Sequence, residues 1–503
     1  MNLSDKIKYN LNHRISKECD FDMQEALRSL LVDVDLVPED CGGSISFRGK
    51  DPFRGKNPLF SSVFRVGAAS SLALMAKSVA AAKIWQMRTG KGQNISLDVS
   101  KGYRRIAGIR EKNWELLNGE PLPTEIEPDN SFNVTLRRTK DGRFVQAFSP
   151  YPEARTAFSK FLGLGKNPDE VSVKNAISKW NGKDLELAGI EAGLPIGLVR
   201  TVEEFMLEEQ FKVLAQQPLI ELVKVGESAP EPFTPPTMLQ PLSNIRTLLF
   251  GKVLAGPAAG RALALHGADV LNIWGPDKFE PSIFYNMANV GVRSSTLNLR
   301  MKDGFDRMKS LLKTADVFIS NRRPGYVDSL GLSLEEVINL RPGIIDARVS
   351  LCGYKGPWGI RAGYDPTALC IAGYMALEGT KEEPTKPYVF VVTDFLSSWL
   401  LAAGIMAALA KRAVDGGSYS VRVSLARIVL WIYSLGIFDK QYAYETTDSG
   451  LGHTYLEPEL FIQNTLCGTY QGLTDQVHMT ETPGYYTTVL VPRGSCKPEW
   501  LEL

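Results

Sequence analysis

Short apolar strands alternate with helices through residues 245–350, and this alternation restricts the folds open to the chain. The strand candidates are IRTLLF (245–250), ADVLNI (268–273), ADVFIS (315–320) and IIDARVS (344–350). Helical segments separate them, the first being the small-residue run GPAAGRALALHG after the first strand. The pattern predicts an α/β fold with a doubly wound, Rossmann-like parallel sheet.

A proline-rich segment divides the chain near its middle. Residues 227–243 carry five prolines, which disfavour both helix and central strand and predict a linker. Before it, residues 133–148 predict a hairpin that turns at Lys140-Asp141-Gly142, and Thr201 with Glu204 forms a capping box at a helix start. These elements predict a second, smaller α+β domain.

Composition narrows the classes of function. The 57 basic and 56 acidic residues give a net charge of +1, so no overall attraction to nucleic acid or an anionic membrane is expected. The six cysteines form no C-x-x-C pair and the four histidines no H-x-x-x-H, so no metal site is predicted. With no apolar signal core at the N-terminus, we expect a cytoplasmic or otherwise intracellular protein that is not secreted. The apolar run 400–410 is too short to span a membrane and predicts a buried helix.

Two segments of the sequence share the same order of predicted elements. Residues 67–100 and 394–425 each read as a small-residue helix, a glycine turn and a strand of alternating apolar residues. The acid that opens the second copy, Asp394, has no counterpart in the first, where the matching position is near Ala69-Ser70. Only the second copy is therefore expected to perform carboxylate chemistry.

Four motifs follow one another in the second half of the chain, at 253–270, 289–300, 315–325 and 347–358. In this order they resemble the class III CoA-transferase family, also called CaiB/BaiF. The strand–turn–helix VLAGPAAGRALALHGADV (253–270) is similar to the family's N-terminal segment. NVGVRSSTLNLR (289–300) resembles its N-x-G-K-R-S segment, ADVFISNRRPG (315–325) its N-x-R-P-G and ARVSLCGYKGPW (347–358) its S-G-x-G-x-x-G-P. The resemblance implies a Rossmann-like fold and an enzyme that handles acyl-CoA.

The two halves of the family pattern stand in reversed order. Residues 241–425 resemble the first half of a family member and residues 60–235 the second half, as in a circular permutation or a truncated duplication. Long fungal members of the family have a similar arrangement of the two halves. The predicted division is an N-terminal extension (1–55), a region like the family's C-terminal half (56–226), the linker (227–243), the Rossmann-like half (244–430) and a loop-rich C-terminal region (431–503).

The resemblance implies that Asp394 is the nucleophile, because family members use an aspartate at this position in VVTDFLSSW. Asp394 also precedes an apolar helix, whose free N–H groups and dipole favour an ionised carboxylate and can stabilise an oxyanion. The alternative interpretation is a simple helix cap. The two roles are compatible.

Tyr364 bears on the branch of the family. Racemase-like members carry a catalytic histidine at this position, and a tyrosine is more similar to the formyl-CoA transferase branch. The alternative is an ordinary packed tyrosine. Without the histidine, a two-base racemase mechanism lacks a partner for Asp394.

Coenzyme A carries phosphates, so arginine and backbone N–H donors are expected at its site. Matching to the motifs selects six residues: Leu254, Ala255, Gly256, Asn321, Arg323 and Arg361. At two places the sequence departs from the family motifs and lacks charged side chains that family members use near CoA. Val290 and Val292 stand where the family has basic residues, and residues 272–276 (NIWGP) replace its K-V-E-R-P.

The sequence therefore predicts a CoA-transferase of acyl-CoA:carboxylate type that acts through Asp394, with acyl-CoA and a carboxylic acid as its partners and no metal. Two alternatives stay open at this point. One is an acyl-CoA racemase or another acyl-CoA-processing enzyme, and the other is a catalytically silent scaffold or partner subunit. The family resemblance implies a homodimer.

Overall fold

The computed structural model describes residues 1–503 except 18, 49–61, 110, 113, 123–129, 277–278, 388–390, 447–456 and 503. Its helices are α1 (Leu3–Asn12), α2 (Met23–Leu31), α3 (Val66–Thr89), α4 (Val99–Gly102), α5 (Arg104–Ala107), α6 (Pro152–Phe161), α7 (Glu170–Ile177), α8 (Gly182–Glu191), α9 (Val202–Leu207), α10 (Glu209–Gln216), α11 (Ala255–Leu265), α12 (Ser282–Ala288), α13 (Lys302–Leu312), α14 (Leu334–Leu340), α15 (Asp365–Ile371), α16 (Tyr374–Glu378), α17 (Val392–Asp415), α18 (Leu425–Ser434) and α19 (Lys440–Thr446). Its strands are β1 (Ile45–Arg48), β2 (Ile95–Asp98), β3 (Leu116–Leu117), β4 (Glu120–Pro121), β5 (Leu136–Arg138), β6 (Phe144–Ala147), β7 (Ile196–Leu198), β8 (Glu221–Gly226), β9 (Arg246–Phe250), β10 (Asp269–Trp274), β11 (Arg293–Thr296), β12 (Val317–Ser320), β13 (Ile345–Ser350), β14 (Ser418–Ser424), β15 (Leu460–Thr465), β16 (Gly468–Leu473) and β17 (Val477–Met479).

The largest sheet has seven strands in the order β11-β10-β9-β12-β13-β14-β8. All its pairs are parallel except β14 with β8, which are antiparallel. All four strand predictions are confirmed, as β9, β10, β12 and β13. Because parallel strands end at one edge of a sheet, the segments that follow β9, β12 and β13 meet there, where ligands bind in such folds.

Helix α17 lies at the centre of the molecule, packed against α3, α11 and β14. It is long and apolar enough to cross a membrane by length and composition, but its apolar window is completely buried within the fold. The prediction of a buried helix at 400–410 is confirmed. The apolar surroundings come from the protein itself, and they keep water from the start of the helix.

A smaller α+β unit contains the antiparallel strands β5, β6 and β7 with helices α6, α7 and α8. It has its own apolar core, which includes Phe132, Val145, Phe158 and Leu185. The predicted hairpin is confirmed by the pairing of β5 with β6. The capping box at the start of α9 is confirmed by reciprocal hydrogen bonds between Thr201 and Glu204.

The predicted linker, 227–243, contains neither helix nor strand. Arg88 at the end of α3 holds it through hydrogen bonds to several of its carbonyl groups, including those of Thr234 and Pro241. Strand β8 precedes the linker and still joins the large sheet, beside β14. The proposed domain boundaries therefore stay a prediction, since this sheet extends across one of them.

The region predicted to be rich in loops, 431–503, also contains regular structure. Strands β15 and β16 pair with each other, β16 pairs with β3, and β17 pairs with β2. The final segment follows the edge strand β11, where the Gly291 N–H donates to the Val489 carbonyl and the Cys496 N–H to that of Ser294. The C-terminal region thus covers an edge of the large sheet.

Candidate active site

Asp394 is the third residue of α17, and only 7% of it is exposed. Among the described residues, none donates a hydrogen bond to its carboxylate. Burial and the charge of Asp365 raise the pKa of Asp394 well above the ordinary aspartate value. The expectation that the helix start favours the ionised form is therefore corrected, because burial and a second acid outweigh the helix dipole.

Asp365 is the residue that sequence reasoning missed. It is the first residue of α15 and is completely buried. Its Oδ1 accepts hydrogen bonds from the Thr393 N–H at 2.6 Å and the Thr393 hydroxyl at 2.5 Å. Burial raises the pKa of Asp365 to about 6, against the lowering effect of these bonds. The available signal was its position, directly after Tyr364.

Asp365 and Asp394 form a buried pair of carboxyl groups that titrate together. Two like charges at close range in a dry site disfavour double ionisation, so the pair retains a proton to a higher pH than either acid would alone. The Oδ2 atom of Asp365 has no hydrogen-bond partner among the described residues. The arrangement can therefore present one carboxylate while the other carboxyl group holds a proton.

Tyr364 caps the start of α15 and is partly exposed. Its ring makes an edge contact with Phe148, at 5.6 Å between centroids, and stacks on Tyr151 at 6.4 Å. Burial raises the pKa of its hydroxyl, so the group is neutral at physiological pH. Tyr364 thus forms part of an aromatic wall beside the carboxyl pair.

The first turn of the large sheet brings the predicted Leu254, Ala255 and Gly256 to the start of α11, where all three are buried. Asn321 fixes this turn, since its amide group donates to the Lys252 carbonyl at 2.7 Å and accepts from the Lys252 N–H at 3.1 Å. A Cβ on Gly256 would lie 2.7 Å from the Asn321 Oδ1. Four of the predicted CoA residues therefore meet at one place.

Val253 in the same turn has a φ of +62°, an unusual conformation for a β-branched residue. Its N–H donates to the carboxylate of Glu280 at 2.8 Å, and the Tyr151 hydroxyl donates to the other Glu280 oxygen at 2.9 Å. Strained backbone of this kind is concentrated at functional sites. Glu280 thereby joins the first turn to Tyr151 of the smaller unit.

The two predicted arginines differ in position. Arg323 is exposed, with a guanidinium nitrogen close to Gly193. Arg361 is enclosed, with a guanidinium nitrogen that donates to Glu186 at 2.6 Å and to the Ile196 carbonyl at 2.7 Å. Burial opposes the ionisation of Glu186, but its arginine partners still lower the pKa to about 2. In this structure Arg361 is an internal ion-pair partner with no surface open to a phosphate.

Arg322, beside Arg323, faces the site and was not predicted. Its guanidinium lies over the ring of Phe250, 4.6 Å from the centroid. It also interacts electrostatically with Tyr151, Glu280 and Tyr364. Two adjacent arginines in the sequence do not indicate which one points inward.

The departures from the family motifs are buried substitutions. Val290 and Val292 are completely buried in two apolar clusters. Asn272 is also buried and donates to the Asn289 side chain at 3.1 Å. The side chains at these positions therefore pack inside the protein and are not available to a ligand.

Among the residues that the structure describes, no group of three or more His, Cys, Asp or Glu side chains is arranged to hold a metal ion.

Comparison with known proteins finds similarity to CoA-transferases in this region of the chain. Residues 242–460 match the model of CoA-transferase family III. An acetyl-coenzyme A transferase, nodX, of Hypoxylon pulicicidum is 27% identical over 61% of this chain and 55% of its own length. A succinyl-CoA–D-citramalate CoA-transferase of Chloroflexus aurantiacus is 30% identical over 38% of this chain and 50% of its own. The chain thus spans about half the length of the curated relatives it matches.

A solved structure is also similar. A CaiB/BaiF family protein from Brucella suis is 27% identical, with a TM-score of 0.36, over 38% of this chain and 55% of its own. The matched family region contains the first turn, Asn321, the Tyr364-Asp365 pair and Asp394. These residues thus lie in the part of the chain, 242–460, that is similar to CoA-transferase family III.

Proposed function

We propose that the protein is a CoA-transferase that moves CoA from an acyl-CoA to a carboxylic acid, with Asp394 as the nucleophile. The observation that carries this proposal is the buried pair of Asp394 and Asp365 at the start of α17, inside the family region. Two similar proteins, an acetyl-coenzyme A transferase and a succinyl-CoA–D-citramalate CoA-transferase, support the same class of reaction.

The reaction proceeds by exchange at one carboxylate. An Asp394 oxygen attacks the thioester carbon, and the C–S bond breaks to give a mixed anhydride and CoA thiolate. The thiolate attacks the Asp394 carbonyl, which releases the first acid and leaves an aspartyl-CoA thioester. The acceptor carboxylate attacks that thioester and expels the thiolate, which then takes the new acyl group and frees Asp394.

The carboxyl pair gives Asp365 a part in this chemistry. Burial and Asp365 raise the pKa of Asp394 well above its ordinary value, so the single proton of the pair resides mainly on Asp394, and Asp394 becomes the ionised nucleophile when this proton passes to Asp365. Asp365 also holds the backbone of Thr393, and so fixes the first turn of α17. The surrounding apolar residues exclude water, which would otherwise hydrolyse the anhydride.

We expect CoA to bind along the first turn, with the backbone N–H groups at the start of α11 and exposed Arg323 facing its phosphates. Asn321 shapes the turn that presents these groups. Arg361 holds Glu186, so we assign its contribution to the fold. We also expect an intracellular homodimer, which light scattering and fractionation would test.

An isotope-exchange assay tests the proposal. Purified protein is incubated with a mixture of acyl-CoAs and ¹³C-labelled carboxylic acids, and the CoA pool is measured by mass spectrometry. We expect label in the thioesters with the unmutated protein and none with Asp394→Asn. Asp415→Asn, at the exposed other end of the same helix, is the matched control. Exchange that survives Asp394→Asn would contradict the assignment.

Trapping provides a second readout. Hydroxylamine added during turnover should convert the Asp394 side chain to a hydroxamate, found by peptide mass spectrometry. Deuterium uptake at the α-carbon of the acyl group in heavy water, without CoA exchange, would instead support a racemase. No exchange and no adduct across a broad panel would support a silent partner subunit.

A further inference from the structure

A valine occupies a backbone position in the first turn of the large sheet that suits a glycine. The turn after the first strand of a doubly wound sheet is usually rich in glycine, which enters positive φ freely. Val253 lies in this turn with a φ of +62°, a region that β-branched residues avoid. Such a conformation persists only when the surrounding contacts hold it. The contacts of Val253 therefore decide the shape of the turn.

Two side chains hold the backbone of this turn. The Asn321 amide group accepts from the Lys252 N–H at 3.1 Å and donates to the Lys252 carbonyl at 2.7 Å, which fixes the residue before the strained one. Glu280 accepts from the Val253 N–H at 2.8 Å. A rotation of Val253 to negative φ would either break this hydrogen bond or displace the segment that follows. The Glu280 carboxylate thus holds the strained residue directly.

Glu280 is itself fixed from the smaller α+β unit. It is only 8% exposed, and its second oxygen accepts from the Tyr151 hydroxyl at 2.9 Å. Burial and the charge of Glu280 raise the pKa of this hydroxyl well above its ordinary value, so the hydroxyl keeps its proton and donates. Tyr151 precedes α6, and its ring stacks on that of Tyr364. One carboxylate therefore connects the first turn with the smaller unit.

The strained residue also determines the direction in which α11 begins. The helix follows Val253 after one residue, Leu254, which provides no side-chain cap. The first N–H groups of a helix have no partner within the helix and favour anions. The proposed function assigns the phosphates of CoA to these groups. Because a change of φ at Val253 swings the chain that follows, the strained conformation sets where these N–H groups point.

We propose that Glu280 is a positioning residue for the coenzyme, whose carboxylate holds Val253 in its strained conformation and so keeps the start of α11 in the arrangement that binds acyl-CoA. The inference rests on the proposed function and concerns the same site. Tyr151 contributes through its hydrogen bond to the carboxylate, so the arrangement depends on the smaller unit as well. Glu280 takes no part in the exchange at Asp394, and its loss therefore acts on binding.

Titration calorimetry with CoA measures this binding without turnover. Glu280→Ala should weaken the binding of CoA by at least about tenfold, because Val253 relaxes once its acceptor is lost. Adding Val253→Gly should bring the affinity back to within about threefold of the unmutated protein, since glycine adopts the positive φ without the carboxylate. Glu25→Ala, at an exposed glutamate of α2, is the matched control and should leave the affinity unchanged.

Steady-state kinetics provides a second readout. In the exchange assay, Glu280→Ala should raise the KM of acyl-CoA by at least about tenfold and leave kcat within about twofold, as expected for a loss of uniform binding. Tyr151→Phe removes one of the two hydrogen bonds of the carboxylate and should raise this KM less, by about two- to fivefold. Glu280→Gln retains an acceptor for the Val253 N–H and should resemble Tyr151→Phe. It also keeps the test available if Glu280→Ala does not fold.

The outcomes separate the inference from the proposed function. CoA binding that Glu280→Ala leaves intact, or a loss that Val253→Gly does not reverse, rejects the positioning role even if the protein exchanges CoA. Weakened binding with this rescue, but no exchange with any acid, supports the positioning role and rejects the proposed transferase. If the unmutated protein binds no CoA, both are rejected.

Discussion

Helices α3 and α17 are built alike and pack against each other, yet one of them carries an acid at its start and the other does not. Each has 24 residues and is buried along most of its length. Each is followed by a glycine with positive φ, Gly90 or Gly416, and then by a strand, β2 or β14. The helix–glycine–strand unit therefore occurs twice, but only the copy that contains α17 carries an acid at the start of its helix.

The starts of the two helices are also held alike. Asp365 of α15 accepts from Thr393 in the first turn of α17, and Glu378 of α16 accepts from Ser62 and the Val63 N–H just before α3. Both acids are buried and have a raised pKa, of about 6 for Asp365 and about 7 for Glu378. The difference is the second acid, because the third residue of α17 is Asp394 and the third residue of α3 is Ala68, one position before the Ala69-Ser70 that the sequence comparison indicated. A buried acid positions a helix start, and a pair of acids is needed for the proposed reaction.

The largest expected effect comes from moving the acid between the copies. Asp394→Asn should lower the exchange rate by about 10³-fold or more, because the nucleophile is lost. Adding Ala68→Asp to that variant should not restore exchange, since Glu378 contacts Ser62 and Val63, ahead of α3, whereas Asp365 contacts Thr393, the residue next to Asp394. The measurement is label exchange on protein whose fold is checked by circular dichroism. Restored exchange would show that the first copy is also a competent site.

Removing the partner acid should have a smaller effect on activity. Asp365→Asn keeps an acceptor for Thr393 but cannot hold the shared proton, so we expect kcat to fall by about 10- to 100-fold. In the unmutated protein, kcat should rise with pH through about 6, as the pair loses its first proton. In Asp365→Asn this rise should move in pH, because burial without the charge of Asp365 then sets the pKa of Asp394. A pH profile identical in both proteins would remove Asp365 from the mechanism.

Substitution of either buried acid, Asp365 or Glu378, should change the stability of the protein, but only one of the two substitutions should change its activity. An acid whose pKa is raised on folding destabilises the fold once the pH exceeds that pKa, and the penalty disappears as the pH falls below the unfolded value near 4. Shifts to about 6 and about 7 from 3.8 and 4.5 correspond to about 3 kcal/mol each. Asp365→Asn and Glu378→Gln should therefore each raise the free energy of unfolding at pH 8, by up to about 3 kcal/mol.

Urea denaturation at pH 8 and pH 4 measures this effect, and only Asp365→Asn should also reduce exchange. The gain in stability at pH 8 should shrink to well under about 1 kcal/mol at pH 4, where both acids are protonated in the folded state and about half protonated in the unfolded state. Equal gains at the two pH values would show that packing, and not ionisation, is responsible.

The smallest effects should distinguish the two glycine turns. A Cβ on Gly90 would meet nothing within 4 Å, whereas one on Gly416 would lie 2.1 Å from the Ser228 carbonyl oxygen. Gly90→Ala should cost about 1 kcal/mol for the positive φ alone, and Gly416→Ala more, because the linker backbone must move. Equal thermal shifts for the two variants would contradict the close approach at Gly416.

Local sequence patterns were sufficient for the large sheet and much of the site. The apolar runs that became β9, β10, β12 and β13 were identified, because period and turn residues act over a few positions. The motifs also led to Asn321 and the first turn. They did not reveal Asp365, and they selected Arg323 and Arg361 over Arg322. Those choices depend on contacts between residues that are far apart in the chain.

The sequence by itself determined the alternation of strands and helices, the recurrence of the helix–turn–strand unit and the similarity of residues 242–460 to CoA-transferase family III. These features are encoded by local spacing of apolar, glycine and motif residues. Only the tertiary structure decided that Asp365 stands beside Asp394, that Arg361 is bonded to Glu186 and that Arg322 lies over Phe250, within electrostatic range of Tyr364. Burial and neighbouring charge set the behaviour of an ionisable group, and both arise only when distant segments are packed together.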